Sequence, residues 1–198
     1  MKRLIVLTFI FALFSVYANA ADKKDSLLNS LSSIKTLSAE FIQVNNLKDF
    51  GDDEYTGKVS IKMGEVALWD YKEPYNSWYL ITKDKVDYFD EINNQLVKMN
   101  AKDIKEYALL QVLMDFKKLS STFSVTEKKD MLILKPKTNT GVVYINILFK
   151  DKVISQLQSK DNTGNTTTIT FSDVAYNKSI SDSTFKKKLP KDVTVIEQ

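Results

Sequence analysis

Cysteine and histidine are both missing from this sequence of 198 residues. Without them the chain cannot build a Ser-His-Asp or Cys-His nucleophile, and a zinc site would rest on carboxylates alone. Most hydrolase chemistries are thereby disfavoured. No disulfide can form either, so the fold must be held by its core. Glycine is scarce, with five in the whole chain, and no Gly-rich phosphate cradle is present. Carboxylates remain. Asp52, Asp53, Glu54, Asp70 and Glu73 crowd one region, where paired acids for glycoside cleavage are one reading and solvated strand ends and turns are the expected one.

Long apolar runs are also lacking, except at the N-terminus. Met1-Lys2-Arg3 gives a basic start, Leu4 to Val16 is apolar but too short to span a bilayer, and Ala18-Asn19-Ala20 is a small-x-small cleavage site. Residues 1–20 thus read as a secretory signal peptide, and the processed chain is expected to begin at Ala21. No cysteine follows the leader to carry an acyl anchor, so a soluble exported protein is expected. Removing Lys2 and Arg3 leaves 26 basic residues against 25 acidic ones. Bulk attraction to nucleic acid or to anionic lipid is not supported by so even a balance. Residues 21–198 suit a single domain with a full core, and no linker, repeat or low-complexity segment divides them.

The most informative segment present is Gly57–Pro74. Apolar and polar side chains alternate through two runs joined at Met63-Gly64-Glu65, the pattern of a β-hairpin. One parity carries Val59, Ile61, Met63, Ala67, Trp69 and Tyr71, while Lys58, Ser60 and Lys62 point the other way. An exported protein with such an oily, aromatic face must cover it.

Elsewhere Leu27, Leu28, Leu31, Ile34 and Leu37 recur at helical spacing, with Lys24, Asn29, Ser30 and Ser33 on the polar face and Asp22 or Asp25 as the cap. Strands are expected at Ser38–Val44, Tyr55–Trp69 (the hairpin), Ser77–Thr82, Val86–Asp90 and Gln95–Met99, with a turn from Asp49 to Asp53. Asp103–Phe116 breaks this pattern. Ile104, Tyr107, Ala108, Leu110, Leu113 and Met114 follow helical spacing, and Leu109, Val112 and Phe116 widen the apolar stripe beyond one buried face. A core helix and a functional one are equally compatible with that periodicity. Strands resume at Ser121–Thr126, Met131–Lys135, Val142–Phe149, Val153–Ser159 and Thr166–Val174, about eleven in all. Two helices against a long antiparallel sheet make an α+β domain, with a curled sheet gripping helices on its concave side.

The series Leu27-x3-Leu31-x2-Ile34-x2-Leu37-x-Ala39-x-Phe41-x-Gln43, then Gly57 and Trp69-x-Tyr71-x2-Pro74, resembles the periplasmic outer-membrane lipoprotein carrier family, LolA. The ending Phe185-x4-Pro190-x2-Val193-x-Val195 is similar to that family's too. The resemblance runs over essentially the whole processed chain, through the order and spacing of elements. It implies an incomplete β-barrel closed by a helical lid over an apolar cavity that holds the acyl chains of a lipoprotein. It implies acylated lipoproteins, an inner-membrane lipoprotein-releasing ABC transporter and an outer-membrane acceptor as partners. A periplasmic monomer without cofactor, metal or catalytic residues is expected.

On that footing the cavity residues are Leu27, Leu31, Ile34, Phe41, Val59, Ile61, Met63, Trp69 and Tyr71. Those of the lid are Leu109, Leu110, Leu113 and Met114. Where many relatives place an Arg that bonds lid carbonyls, this chain has Met63, so closure rests on packing or on another basic residue such as Lys62. The role has a physical logic: each methylene withdrawn from water is worth about 0.8 kcal/mol, so exposing a sixteen-carbon chain costs on the order of 12 kcal/mol. An ordinary sealed core would have the same chemistry as the cavity. An outer-membrane receptor of the same fold, a lipid-binding sensor domain and a carboxylate-based hydrolase are the alternatives, in falling order.

Overall fold

The computed structural model describes residues 26–101 and 112–198. The expected signal peptide, Lys24, the caps expected at Asp22 or Asp25, and Leu109 and Leu110, expected in the lid, lie outside them. Helix α1 (Leu27–Ser32) is capped instead by Ser26, whose hydroxyl accepts from the Asn29 N–H at 3.1 Å. It is shorter than the leucine spacing predicts. Ser32 and Ser33 turn their hydroxyls back onto the carbonyls of Leu28 and Ser30 and end the helix, so Leu37 falls on the following strand. Helical and strand spacing coincide at that residue, which is why the pattern ran through it.

Six strands follow: β1 (Thr36–Leu47), β2 (Gly51–Lys62), β3 (Val66–Glu73), β4 (Ser77–Thr82), β5 (Lys85–Asp90) and β6 (Gln95–Asn100). Asp52 and Asp53, expected in a turn, already pair with β1, because Gly51 (φ +90°) makes the reversal within fewer residues. After the undescribed stretch, Val112–Met114 is helical. The helix stops there rather than at Phe116, since Asp115 leaves helical geometry and caps a 3₁₀ turn, Phe116–Lys118. Helix α2 (Leu119–Thr122) replaces the start of the strand expected at Ser121. Leu119 and Phe123, four residues apart, are both buried, and that spacing is helical.

Strands β7 (Phe123–Lys128), β8 (Met131–Pro136), β9 (Val142–Lys150), β10 (Val153–Asp161) and β11 (Thr166–Tyr176) complete the expected set, and β12 (Thr194–Glu197) adds one. They form one sheet in the order β12-β6-β5-β4-β3-β2-β1-β11-β10-β9-β8-β7, antiparallel except for the parallel β12–β6 pair. Its two edges are not paired to each other, so the sheet is an open, incomplete barrel. Irregularities at Ser38/Glu40 and at Thr56/Gly57 interrupt the register of the two longest strands, the positions where strands bend.

The concave side holds the main core. Leu27, Leu31, Ile34, Leu37, Phe41, Val59, Ile61 and Trp69 are buried there together with Val112, Leu113, Met114 and Phe116. Helix α1 packs on the 3₁₀ turn and β8, and its Leu27 N–H donates to the Glu127 carboxylate on β7 at 2.9 Å. The convex side is covered too, which alternation alone did not reveal. Leu68, Trp78, Phe89 and Leu96, all on the opposite parity, are capped by Phe185 from a 3₁₀ turn (Asp182–Phe185) and by Ile180 and Val193. The chain's last segment is therefore a strap across the back of β3–β6, and β12 is its end.

Candidate functional site

Cross-strand register decides what the hollow of the sheet is made of. Ala39, Val59, Trp69, Tyr79, Tyr88 and Val97 stand in one row across β1 to β6, and Phe41, Gly57 and Tyr71 stand in the next. Gly57 has no side chain, and the Phe41 ring occupies the space above it: a Cβ there would lie 2.8 Å from the ring and 2.3 Å from the Asp70 carbonyl oxygen. Aromatic rings meet across the gap. Phe41 packs on Trp69 (4.8 Å between centroids) and edge-on to Tyr71 (5.2 Å), Trp69 meets Phe171, Tyr71 meets Tyr55 and Tyr79, and Tyr79 stacks on Tyr88 at 4.4 Å.

Beside these rings lies a cavity of about 500 Å³, within the usual range for small-ligand sites, roughly 300–1,000 Å³. Trp69, Tyr71, Tyr79, Tyr88, Met99 and Ile169 line it, with Leu113 from the helix end facing them and Gln43, Asn45 and Leu47 from β1. A smaller hollow of about 180 Å³, lined by Tyr55, Tyr75 and Ser77 as well as several of the same residues, continues it. The surface thus grades from hydrocarbon at Leu113 and Ile169 to hydroxyls and amides.

Of the residues expected in the cavity, Trp69 and Tyr71 line this space; Leu27, Leu31, Ile34, Phe41, Val59, Ile61 and Met63 sit in the packed apolar cluster adjoining it. Of the expected lid, Leu113 lines it, and Met114 borders a separate hollow of about 310 Å³ beside Gly64 and Asp115. Sequence reasoning missed Tyr79, Tyr88 and Met99. Their signal was present: Tyr79 and Ile81, then Val86 and Tyr88, continue the alternation of Trp69 and Tyr71 onto the next two strands.

The electrostatics follow from burial. The Tyr71 phenol is pushed well above its usual range, chiefly by burial, and its hydroxyl donates to Gln43 Oε1 at 2.9 Å. Burial, with Asp90 nearby, pushes Tyr88 up to about 12. Both of these hydroxyls are neutral at physiological pH. Asp161, at the end of β10, is held below the ordinary carboxylate value. Its burial works against this, but hydrogen bonds from Thr163 and Asn165, at 2.7 to 2.9 Å, outweigh it. A folded-state pKa below the unfolded one stabilises above the unfolded value and is lost as pH falls through the folded one. The β10–β11 turn should therefore loosen only below the ordinary value of 3.8. Protection factors at the Thr163 and Asn165 amides that are the same well above and well below that value would contradict this.

The acids crowding the hairpin do not converge. Asp52, Asp53, Glu54 and Glu73 are exposed, and Asp70 is held by Lys187 (2.8 Å) and Lys72 (3.0 Å).

The family model described as outer membrane lipoprotein carrier protein LolA matches residues 32–188, most of the chain. This protein belongs to the LolA family. An outer-membrane lipoprotein carrier protein of Pseudomonas syringae is 30% identical over 93% of this chain and 94% of its own length. One from Francisella philomiragia is 27% identical over 100% of this chain and 98% of its own. Among solved structures, a LolA superfamily protein from Nitrosomonas europaea has a TM-score of 0.53 at 11% identity, covering 81% of this chain and 96% of that one. An uncharacterized conserved protein from Thermus thermophilus has a TM-score of 0.54 at 12% identity, covering 85% and 94%. The two structures share the fold.

The LolA family is periplasmic, and this chain with it. No helix among the described residues is long and apolar enough to cross a membrane.

No arginine follows Arg3 in the sequence, so no guanidinium is available to bond the carbonyls at Met114. Lys62 is turned elsewhere: its ammonium pairs with Asp182 and lies over the Phe185 ring on the convex side. The contact at Met114 is made by the main chain. Gly64, at φ +77° in the β2–β3 turn, donates its N–H to the Met114 carbonyl at 2.7 Å, and the Met63 N–H donates to Lys35 O at 2.9 Å. A helix end leaves carbonyls without intrahelical partners, and the turn supplies one.

Proposed function

We propose that this chain is a periplasmic chaperone that shields the acyl chains of lipoproteins between the two membranes. It takes them from an inner-membrane lipoprotein-releasing ABC transporter, delivers them to an outer-membrane acceptor, acts as a monomer, and performs no chemistry. The observation that carries this reading is the aromatic cavity facing Leu113 at the end of the connecting helix, in a member of the LolA family. Such a cavity offsets the cost of taking methylenes through water, about 0.8 kcal/mol each. The helix ending at Met114 is the lid, and the Gly64 contact to its last carbonyl is what opening must break.

Depleting the protein in its host should leave outer-membrane lipoproteins at the inner membrane; normal sorting after depletion would refute the assignment. The lid reading has its own test. Lids come from the less stable parts of a fold. Amide exchange at Val112, Leu113 and Met114 should be faster than in Val142–Phe149, and should slow when an acylated peptide is added. Equal protection in both segments, indifferent to ligand, would make the helix part of the static core.

A further inference from the structure

One end of the cavity is built of the wrong material for a hydrocarbon chain. Along β1 the residues of one parity change from Phe41, in the sealed cluster, to Gln43 and then Asn45, which line the hollow, an advance of about 13 Å. Their cross-strand neighbours change with them. Gln43 stands level with Tyr55, and Asn45 with Asp53 on one side and Thr167 on the other. The smaller hollow beyond is walled by Tyr55, Tyr75, Ser77 and Tyr88. Hydrocarbon gains nothing from hydroxyls and amides, and covering them costs the hydrogen bonds to water that they lose. Another part of the ligand must account for them.

These groups are reachable, and their bonding capacity is not spent. Gln43, Asn45, Tyr55, Tyr75 and Tyr88 are all partly exposed, whereas Phe41 and Trp69 are sealed. The Tyr71 hydroxyl donates to Gln43, and Gln43 donates to Asn45 Oδ1 at 3.0 Å. There the relay stops, since the Asn45 amide nitrogen has no partner among the described residues.

Charge narrows the occupant. Among the described residues lining the two hollows there is no lysine or arginine, while Asp161 is present, and Asp53 and Asp90 add negative potential at Tyr55 and Tyr88. A phosphate or carboxylate head meets repulsion there and no counter-charge. A neutral polypeptide main chain fits better. Its N–H and C=O groups alternate, amides and hydroxyls can bond either kind, and tyrosine faces give contact area whatever the side chain. Tyrosine, serine and asparagine are also what antibody loops use to hold protein surfaces.

We propose that the tyrosine- and amide-lined end of the cavity is a subsite for the polypeptide of the cargo, gripping the main chain of the residues next to the acylated one without regard to their sequence. It rests on the acyl-carrier reading above. The apolar end at Leu113 and Ile169 then takes the chains, and the cargo leaves the protein past Asn45 and Tyr75.

Three lipids test this on the signal-free protein: dipalmitoylglyceryl-cysteine amide, the same lipid extended by a short neutral serine–alanine peptide amide, and the same lipid extended by an ethylene glycol spacer of equal length. Affinities are read by displacement of a fluorescent fatty acid. The peptide-extended lipid should bind about tenfold more tightly than either of the others, the worth of one or two net hydrogen bonds. In ¹⁵N-labelled protein it alone should move the side-chain amide signals of Gln43 and Asn45, with Asn177, bonded to Lys35 at the other end of β1, as the unmoved control. Asn45→Leu and Tyr75→Ala should each bring the ratio of peptide-extended to plain affinity down towards one; because the readout is a ratio, any general loss of acyl binding in a variant cancels. Equal affinities for the peptide-extended and plain lipids, the same gain from the glycol spacer, amide signals that respond alike to all three lipids, or a ratio unchanged in both variants would each overturn the subsite and leave the carrier reading standing. If none of the three lipids displaces the fatty acid, both readings fall.

Discussion

Replacing Gly57 by alanine is expected to destabilise the fold by about 3 kcal/mol, the upper end of the usual cost of overpacking a core. The added Cβ would meet the Asp70 carbonyl oxygen at 2.3 Å and the Phe41 ring at 2.8 Å. The first contact is backbone of the neighbouring strand and cannot move without breaking the β2–β3 pairing. The second is a ring fixed between Trp69 and Tyr71. Denaturant unfolding measures the effect as a shifted midpoint at unchanged slope. Gly51→Ala is the control: that glycine has positive φ but open space around it, so only backbone strain of about 1 kcal/mol is expected. Equal losses at the two sites would mean that the close approach of strands around Gly57 has been misjudged.

Replacing Met63 by arginine is expected to weaken apparent acyl affinity by ten- to a hundredfold through a tighter closed state. The turn already reaches the helix end, since Gly64 N–H bonds the Met114 carbonyl at 2.7 Å. A guanidinium one residue earlier gains access to the other orphan carbonyls there, which a thioether cannot bond. Each charge-assisted bond shielded from water contributes roughly 1.5–3 kcal/mol, and loading must break it. Slower amide exchange at Val112–Met114 should accompany the loss. If Met63→Arg leaves both exchange and affinity unchanged, the hairpin turn is not part of the closing contact.

The sheet was legible in the sequence because strand alternation is strict wherever one face is buried. Val59, Ile61, Trp69 and Tyr71 declared their shared side through parity alone, and the structure gathers them in one cluster with Phe41, which the family resemblance placed there. What escaped notice depends on contacts distant in the chain. β12 is four residues long and pairs in parallel with β6, so no hairpin turn announces it. The burial of Leu68, Trp78 and Phe89 depends on Phe185, about a hundred residues away, folding over them. The end of α1 was misplaced because serine hydroxyls, not an apolar change, terminate it. At the site, the aromatic pair Trp69 and Tyr71 was visible and the alternation continued to Tyr79 and Tyr88, but that the four stand beside one another came only with the register of three strands. The bond between the β2–β3 turn and the helix ending at Met114 is made by the Gly64 main-chain N–H, which no residue type signals.

The carrier function requires that this cavity take acyl chains from a membrane into water. The direct measurement is to incubate the signal-free protein with vesicles carrying a triacylated lipopeptide, sediment the vesicles, and assay the supernatant. A soluble complex of protein and lipopeptide, with the Trp69 indole signal shifted and the Trp78 signal unchanged, is the expected result. Lipopeptide that stays wholly with the vesicles, and a Trp69 signal identical to that of the free protein, would contradict the carrier function.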